Sequence, residues 1–350
     1  MEGEGELTLE ELLTAYRRGR DADLRAIGGV YFQDRDGSIT RTGPRALTSG
    51  LDSQPLPDRE RIDIDKYVDV WRKHHGKGSV SIITARGCPY DCRWCSHSTY
   101  GKTHRRRSAA NVADEVEWVL DRYHPDMLWM ADDVFTIHHG WILRYRQEMK
   151  ARGLRVPFEC ITRADRLNAK VADSLAELGC FRVWIGSESG SQRILDAMER
   201  GVTVEQVRQA VELCRQRGIE TGMFLMWGYE GEQLADIEET IEHVKACLPD
   251  VFLTTVSYPI KGTPYFDEIS DRLVSANPWT RSTDREFKIR GRHSRTYYSF
   301  ADRLLKSEVA LERLRKSGNG PASATGSAEL ETSILSARQG LETAAAEVEA

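Results

Sequence analysis

The chain has 350 residues, 40% hydrophobic and 29% charged, a balance that excludes an intrinsically disordered or fibrous sequence. Lys and Arg total 49 against 54 Asp and Glu, and the net charge of -5 supplies no chain-wide positive field, so no nucleic-acid partner is expected. No run approaches the roughly 20 apolar residues of a membrane helix, and the acidic start Met1-Glu2-Gly3-Glu4-Gly5-Glu6 lacks the basic-then-apolar order of a secretion signal, so the expectation is a cytoplasmic chain with no membrane span.

Residues 1–60 carry one short apolar helix pattern (Leu9, Leu12, Leu13, Tyr16), a small strand at Gly29 to Gln33 and turns up to Pro57. That is too little for a separate core, so the segment reads as an N-terminal extension. A regular alternation follows, with strands predicted at Val80 to Thr84, Met127 to Ala131, Phe158 to Thr162, Phe181 to Gly186, Met223 to Trp227 and Phe252 to Tyr258. The helices between them carry end signals. Ser108 precedes Val112, Val116, Val119 and Tyr123 on one face, and Asn168 precedes Val171, Leu175 and Leu178 with Gly179 as the stop. Thr203 and Gln206 form a capping box before Val207, Val211 and Cys214, ended by Gly218, and a further helix through Ile237, Ile241 and Val244 stops at Pro249. Strand-helix repetition implies an α/β class with parallel strands, closed toward a barrel or doubly wound. The repeating core is assigned to 61–270, a helical extension to 271–316 with a basic stretch Lys288 to Arg292 and a helix from Phe300 to Arg315, and a disordered or loosely helical low-complexity tail to 317–350.

Seven cysteines make an odd number, and three of them crowd into Cys88-Pro89-Tyr90-Asp91-Cys92-Arg93-Trp94-Cys95, directly after the first strand. A secreted disulfide framework is not spaced this way, so a reduced compartment and a metal site are expected. The loop falls at the C-terminal edge of the sheet, where barrel and open-sheet enzymes place their chemistry. Three thiolates would leave one iron of a four-iron cluster open to an outside ligand. A structural zinc completed by His97 is an alternative, although closed zinc sites usually arrive as two separated pairs. Three buried cysteines without a metal would not need Gly87 and Pro89 to shape the turn. Cys160, Cys180, Cys214 and Cys247 sit in strand or helix patterns and read as packing. The pairs His74-His75 and His138-His139 have no third ligand in view and are assigned no metal.

The Cys-x3-Cys-x2-Cys spacing of Cys88, Cys92 and Cys95, with Trp94 before the last cysteine, resembles the signature of radical S-adenosylmethionine (radical SAM) enzymes. The resemblance implies a partial (β/α)6 TIM-like barrel and a [4Fe-4S] cluster whose fourth iron is chelated by S-adenosylmethionine. Reductive cleavage of that sulfonium would yield a 5'-deoxyadenosyl radical, with an external reductant such as flavodoxin or ferredoxin. Further segments match in order. Asp132-Asp133-Val134-Phe135-Thr136 is similar to a segment of the cobalamin-linked branch and implies that Asp132 or Asp133 accepts from the cofactor ammonium, although paired Asp at a turn is also an ordinary cap. Arg163 matches a Thr-Arg pair and implies a fork onto the cofactor carboxylate, the alternative being a surface ion pair. Gly186-Ser187-Glu188-Ser189-Gly190 implies that Glu188 or Ser189 contacts ribose hydroxyls or methionine, and Trp94 is assigned to the cofactor site on the same ground. Two segments depart from the pattern: Tyr229 and Glu230 replace an expected proline region, and Ile260-Lys261 interrupt the approach to Gly262-Thr263-Pro264.

Sequences of that branch usually begin with a cobalamin-binding Rossmann domain, and Gly3 to Leu13 look like its last part. No Asp-x-His-x-x-Gly is present, so cobalamin is a candidate cofactor with no binding motif in this chain. The expectation is a gene start placed too far downstream, or a chain working without cobalamin or with a partner. Radical methylation or rearrangement is implied, on a small-molecule or peptide substrate left open. Two other readings remain: an iron-sulfur electron-transfer subunit without turnover, and a zinc-stabilised binding module. The basic run Lys102 to Arg107 is read as tuning or screening the cluster, docking an electron donor, or simply a solvated stretch.

Overall fold

The computed structural model describes residues 1–19, 23–97, 99–274, 283–317 and 321–349. A hairpin of β1 (Tyr31–Gln33) and β2 (Ile39–Arg41) follows helix α1 (Glu6–Arg18), and α2 (Ile64–His75) leads into the central sheet. That sheet begins at β3 (Ser79–Ile82), and a two-stranded excursion of β4 (Ala85–Arg86) and β5 (Arg105–Arg106) brackets the cysteine loop. There follow α3 (Ala109–Tyr123), β6 (Met127–Met130), α4 (His139–Ala151), β7 (Phe158–Thr162), α5 (Ala169–Leu178) and β8 (Cys180–Glu188). Next come α6 (Gln192–Ala197), α7 (Val204–Arg215), β9 (Glu220–Trp227), α8 (Leu234–Cys247), β10 (Val251–Val256) and α9 (Pro264–Ile269).

The six strands β3, β6, β7, β8, β9 and β10 are hydrogen-bonded in that order, every pair parallel. Strands add in one direction and never reverse, as they would in a doubly wound sheet. The result is the α/β partial barrel of six strands. All six predicted strands and the predicted caps are present: Ser108, Asn168 and Thr203 accept from Asn111, Val171 and Gln206 backbone N–H groups, and Gly179 takes the left-handed conformation that ends α5. Alternation along the strands sorts the faces. Ile82, Leu128, Met130, Phe158, Cys160, Val183, Ile185, Met223 and Trp227 are buried in one core with the helices. Ser81, Trp129, Glu159, Trp184, Phe224 and Leu253 line the opposite, concave face. Differences are local. Helix α7 ends at Arg215, before Gly218, and β8 runs two residues past Gly186 because a bulge re-pairs Glu188 with Leu225.

The predicted N-terminal helix and strand are α1 and β1. In α1 Leu9, Leu13 and Tyr16 are exposed, while Leu12 and Ala15 reach the small cluster of Leu24, Ile27 and Val30. The expectation for the C-terminal tail is corrected. The tail holds helix α11 (Pro321–Ala344), packed against α10 (Arg295–Ser317). Its low-complexity composition conceals a helical spacing: Ala337, Leu341 and Ala344 are buried three to four residues apart. Gly340 leaves the room that the Phe300 ring takes, since a Cβ there would lie 2.4 Å from it. Glu349 then accepts from the Ile289 backbone N–H (2.7 Å) and pairs with Arg292 (2.9 Å), so the basic stretch is anchored by the chain's own end. Leu341→Ala is expected to cost about 2–5 kcal/mol by removing buried methyls from this contact. An unchanged urea midpoint would show that α11 is not docked.

Candidate active site at the cysteine loop

The cysteine loop is held at both ends by backbone bonds and ion pairs. Gly87 has φ of +84°, and a Cβ there would lie 2.3 Å from the Thr103 carbonyl oxygen, so only glycine lets the outgoing and returning chains meet. Glu4 bridges that hairpin, accepting from the Thr48 backbone N–H (2.6 Å), Arg86 (3.0 Å) and Arg105 (2.9 Å). Further along, the Arg93 backbone N–H donates to the Met198 carbonyl (3.1 Å), and its own carbonyl accepts from Tyr265 N–H (3.0 Å). The Arg93 side chain pairs with Glu199 and Glu268.

Cys88, Cys92 and Cys95 border one cavity of about 490 Å³ together with Trp94, Asp133, Arg163, Glu188 and Arg200. Cys92 is buried, Cys88 is half-buried and Cys95 is exposed. Burial pushes the Cys88 thiol up and the Cys95 thiol up to about 12, so a metal must displace their protons on binding. Among the described residues no three His, Cys, Asp or Glu side chains gather tightly enough to chelate a single ion. The thiols ring a space instead, with polar groups of both signs across it. That donor set, soft sulfur around a roomy chamber, fits an iron-sulfur cluster.

The paired aspartates separate into two roles. Asp132 is buried and fully engaged, accepting from Thr84 N–H (2.6 Å), Thr84 Oγ1 (2.5 Å), Ala85 N–H (3.0 Å) and Arg106 Nη2 (2.6 Å). It acts as a structural clamp, so of the two aspartates offered as alternatives it is Asp133 that borders the cavity. Asp133 borders the cavity, and burial, with the Asp132 charge beside it, raises its pKa. Its carboxylate would be stabilised by an incoming cation.

Arg163 is buried at 3% exposure, so the surface-pair alternative fails. Its guanidinium donates to Asp165 (2.9 Å) and to the Arg200 carbonyl (2.8 Å), lies 3.7 Å from Cys92 Sγ, and stacks on Tyr90. All three nitrogens are engaged, so Arg163 serves the Cys92 sulfur rather than standing open as a fork. Arg200 was not found from the sequence. It approaches Cys92 Sγ from another side (3.7 Å), donates to the Gly186 carbonyl (3.0 Å) and leaves its Nε without a hydrogen bond, 3.8 Å from Glu188. No motif marks it, because only the return of α6 to the loop brings it there.

Glu188 has a left-handed backbone, φ +61°, unusual for a non-glycine residue and typical of functional positions. Burial raises its pKa, against the lowering pull of Arg200 and Arg163. Ser189 is turned away: its hydroxyl pairs with Thr240 Oγ1 (3.1 Å) and accepts from Ser191 N–H, in the packing between β8 and α8. Trp94 lines the cavity and meets Tyr229 edge to face at 6.5 Å, so the replaced proline region supports the loop's indole. The basic run is also corrected. Arg105 pairs with Glu4, Arg106 with Asp132 and Arg107 with Glu115, leaving Lys102 on Asp91 as its exposed pair. The three arginines of the run are thus spent on the protein's own acids rather than forming a solvated stretch.

Residues 82–244 match the family described as the radical SAM superfamily. That match places residues 82–244 in the radical SAM superfamily. Members use a [4Fe-4S] cluster and S-adenosylmethionine, the pair the cavity fits. The chain is 31% identical over 284 residues to "Uncharacterized methyltransferase PH0819" of Pyrococcus horikoshii, covering 80% of this chain and 60% of that protein. It is 27% identical to the anaerobic magnesium-protoporphyrin IX monomethyl ester cyclase of Rubrivivax gelatinosus, covering 77% and 49%. Among solved structures, the radical S-adenosylmethionine methyltransferase TsrM from Kitasatospora setae aligns with a TM-score of 0.66 at 23% identity, covering 79% of this chain and 56% of that one. The cobalamin-dependent S-adenosylmethionine radical enzyme OxsB aligns at 0.67 and 17% identity, covering 96% and 55%. These likenesses establish the fold. The chain spans about half to three fifths of the length of the relatives it matches.

Burial pushes the Glu4 carboxyl up, but hydrogen bonds from Arg105, Thr48 and Arg86 outweigh it and hold the pKa down to about 2. A depressed carboxylate contributes stability above its unfolded pKa that is lost as pH falls toward the folded one. Amide protection factors across residues 86–97 and 99–105 are therefore expected to hold down to about pH 4.5 and to fall toward about pH 2. Glu4→Gln should show fast exchange already at neutral pH, and an unaltered profile would remove Glu4 from the loop's support.

Proposed function

We propose that Cys88, Cys92 and Cys95 ligate a [4Fe-4S] cluster at which S-adenosylmethionine is reductively cleaved, in the service of carbon methylation. The carrying observation is the single cavity in which three thiols, two carboxylates and two buried guanidiniums meet at the C-terminal edge of the parallel sheet. A cluster held by these thiols would supply the one electron that breaks a sulfonium carbon–sulfur bond of S-adenosylmethionine, releasing methionine and a 5'-deoxyadenosyl radical for hydrogen abstraction.

The chain's own residues bind and orient. Asp133 accepts from the cofactor ammonium, a charge-assisted bond for which its partly desolvated, otherwise uncommitted carboxylate suits it. Glu188 accepts from ribose hydroxyls, held in place by its left-handed backbone and by Arg200. Arg163 and Arg200 place positive charge on the Cys92 sulfur and so offset the charge that thiolate ligation and reduction bring into a desolvated pocket. Trp94 closes one wall against water.

Methylation is supported by the relative named a methyltransferase that is 31% identical. TsrM and OxsB, solved proteins of this fold, hold cobalamin, and this reading places no cobalamin contact on the present chain. The donor of the electron is external, and the unpaired cysteines suit a reducing cytoplasm.

The test is anaerobic reconstitution with iron and sulfide, reduction in the presence of S-adenosylmethionine, and assay of 5'-deoxyadenosine. Cys92→Ala should abolish the iron-sulfur absorption. Asp133→Asn should retain it and weaken S-adenosylmethionine binding about tenfold, equivalent to about 1.4 kcal/mol. A stable cluster with no 5'-deoxyadenosine would instead favour an electron-transfer subunit, and binding of zinc in place of iron would overturn the reading.

A further inference from the structure

The concave face of the sheet encloses a second, larger cavity of about 1010 Å³, built mainly from the first halves of the strands and from α2. Phe224 borders both this cavity and the cysteine-lined one, so the two adjoin on either side of a single ring. Its volume is at the upper end of small-molecule sites, which run to about 1,000 Å³. Side chains that a folded protein usually hides are left open here: Ile62, Tyr67, Trp71 and Leu253 are 49–66% exposed. An apolar surface of this kind marks a binding site when something builds it deliberately.

Trp184 shows that construction. Its ring stacks on Phe224, with centroids 5.0 Å apart and planes 15° from parallel. Its indole N–H donates to Glu159 Oε2 (2.8 Å), and Arg182 donates to the same oxygen (3.0 Å). Gly222 on the neighbouring strand lacks the Cβ that would lie 2.4 Å from the ring. Stacking, an edge hydrogen bond and a missing Cβ fix one rotamer, as a pre-organised site requires. Trp129 adds a second indole on the same face. At the far end from the cysteines stands Lys77, whose ammonium lies 4.5 Å from the centre of the Phe181 ring and which makes no ion pair among the described residues.

We propose that this chamber takes the substrate, a large, flat, conjugated molecule carrying a carboxylate, with its ring system on the Trp184–Phe224 platform and its carboxylate at Lys77. Stacked rings supply the apolar contact, and the exposed Lys77 ammonium, which makes no salt bridge among the described residues, favours a carboxylate at that end. The Phe224 edge then presents the ring system toward the cysteine-lined cavity. This assignment rests on the proposed radical chemistry for its meaning as a substrate site, but its binding test needs no cluster.

The probes are pyrene-1-carboxylate, neutral pyrene-1-methanol and indole-3-acetate, titrated against the full chain with and without reconstituted cluster. Saturable one-to-one binding of pyrene-1-carboxylate is expected, at least tenfold tighter than either other probe. Trp184→Leu should weaken it at least tenfold. Lys77→Gln should erase the preference over pyrene-1-methanol. Leu253→Glu changes a half-exposed side chain at the rim, where folding is not at stake, and should also weaken the anionic probe at least tenfold. Equal affinity for the charged and neutral pyrenes, tighter binding of indole-3-acetate, or pyrene binding untouched by Trp184→Leu and Leu253→Glu would overturn the proposal. Formation of 5'-deoxyadenosine without pyrene binding overturns the chamber and leaves the radical chemistry standing. Pyrene binding by a chain that assembles its cluster but makes no 5'-deoxyadenosine overturns the chamber's role as a substrate site.

Discussion

The site depends on one buried ion pair. Asp132, at the end of β6, takes hydrogen bonds from Thr84 and Ala85 at the exit of β3 and from Arg106 on the strand that returns from the cysteine loop. Four donors on one carboxylate thus join two neighbouring strands to both legs of the loop. Arg106 is itself desolvated, and it lies over the Trp141 ring at 4.1 Å. A buried pair of this kind gives little net stability against an apolar alternative, but removing one partner strands the other and costs about 3–5 kcal/mol. What it secures is position: the loop leaves the sheet in one direction only.

A second acid repeats the arrangement further out. Glu115 on α3 receives Arg59 at 2.6 Å and Arg107, and Arg107 also donates to the Ile83 carbonyl at 3.1 Å. Glu4 does the same on the opposite flank with Arg86 and Arg105. The consecutive arginines Arg105, Arg106 and Arg107 therefore each find a separate buried or half-buried acid, brought from a different part of the chain. A row of positive charge in the sequence has become three internal fasteners for one loop.

This explains how far the sequence could be read. Strand and helix positions follow from local alternation and capping, and β7 falls at Phe158–Thr162 with both ends as predicted. The cysteine spacing is local too. By contrast, Asp132 and Asp133 are indistinguishable by spacing, since a two-fold strand period only says that they point opposite ways. Which one faces the cavity is decided by Thr84 and Arg106, tens of residues away. Ser189 likewise shares a motif with Glu188, yet Thr240 on α8 claims it. Arg200 has no motif at all. Helix α11 was concealed for the converse reason: Ala, Ser and Gly look like a tail until α10 supplies the Phe300 ring that needs a glycine opposite it.

The division between structural and chemical groups follows the same physics. Groups with every polar atom satisfied, such as Asp132 and Arg163, gain nothing from a ligand and hold the frame. Those left short, with burial but too few partners, are the ones a ligand would relieve. Asp133 has its pKa raised by burial and by Asp132, while Glu188 combines a raised pKa with a left-handed backbone. The Arg200 Nε is buried without an acceptor. These three deficits surround the same cavity as the thiols, where an ammonium, a diol and a cluster would make them good. The buried frame acids spend their hydrogen bonds on the loop's geometry while the acids that border the cavity remain incompletely paired, and the proposed site rests on that unequal allocation.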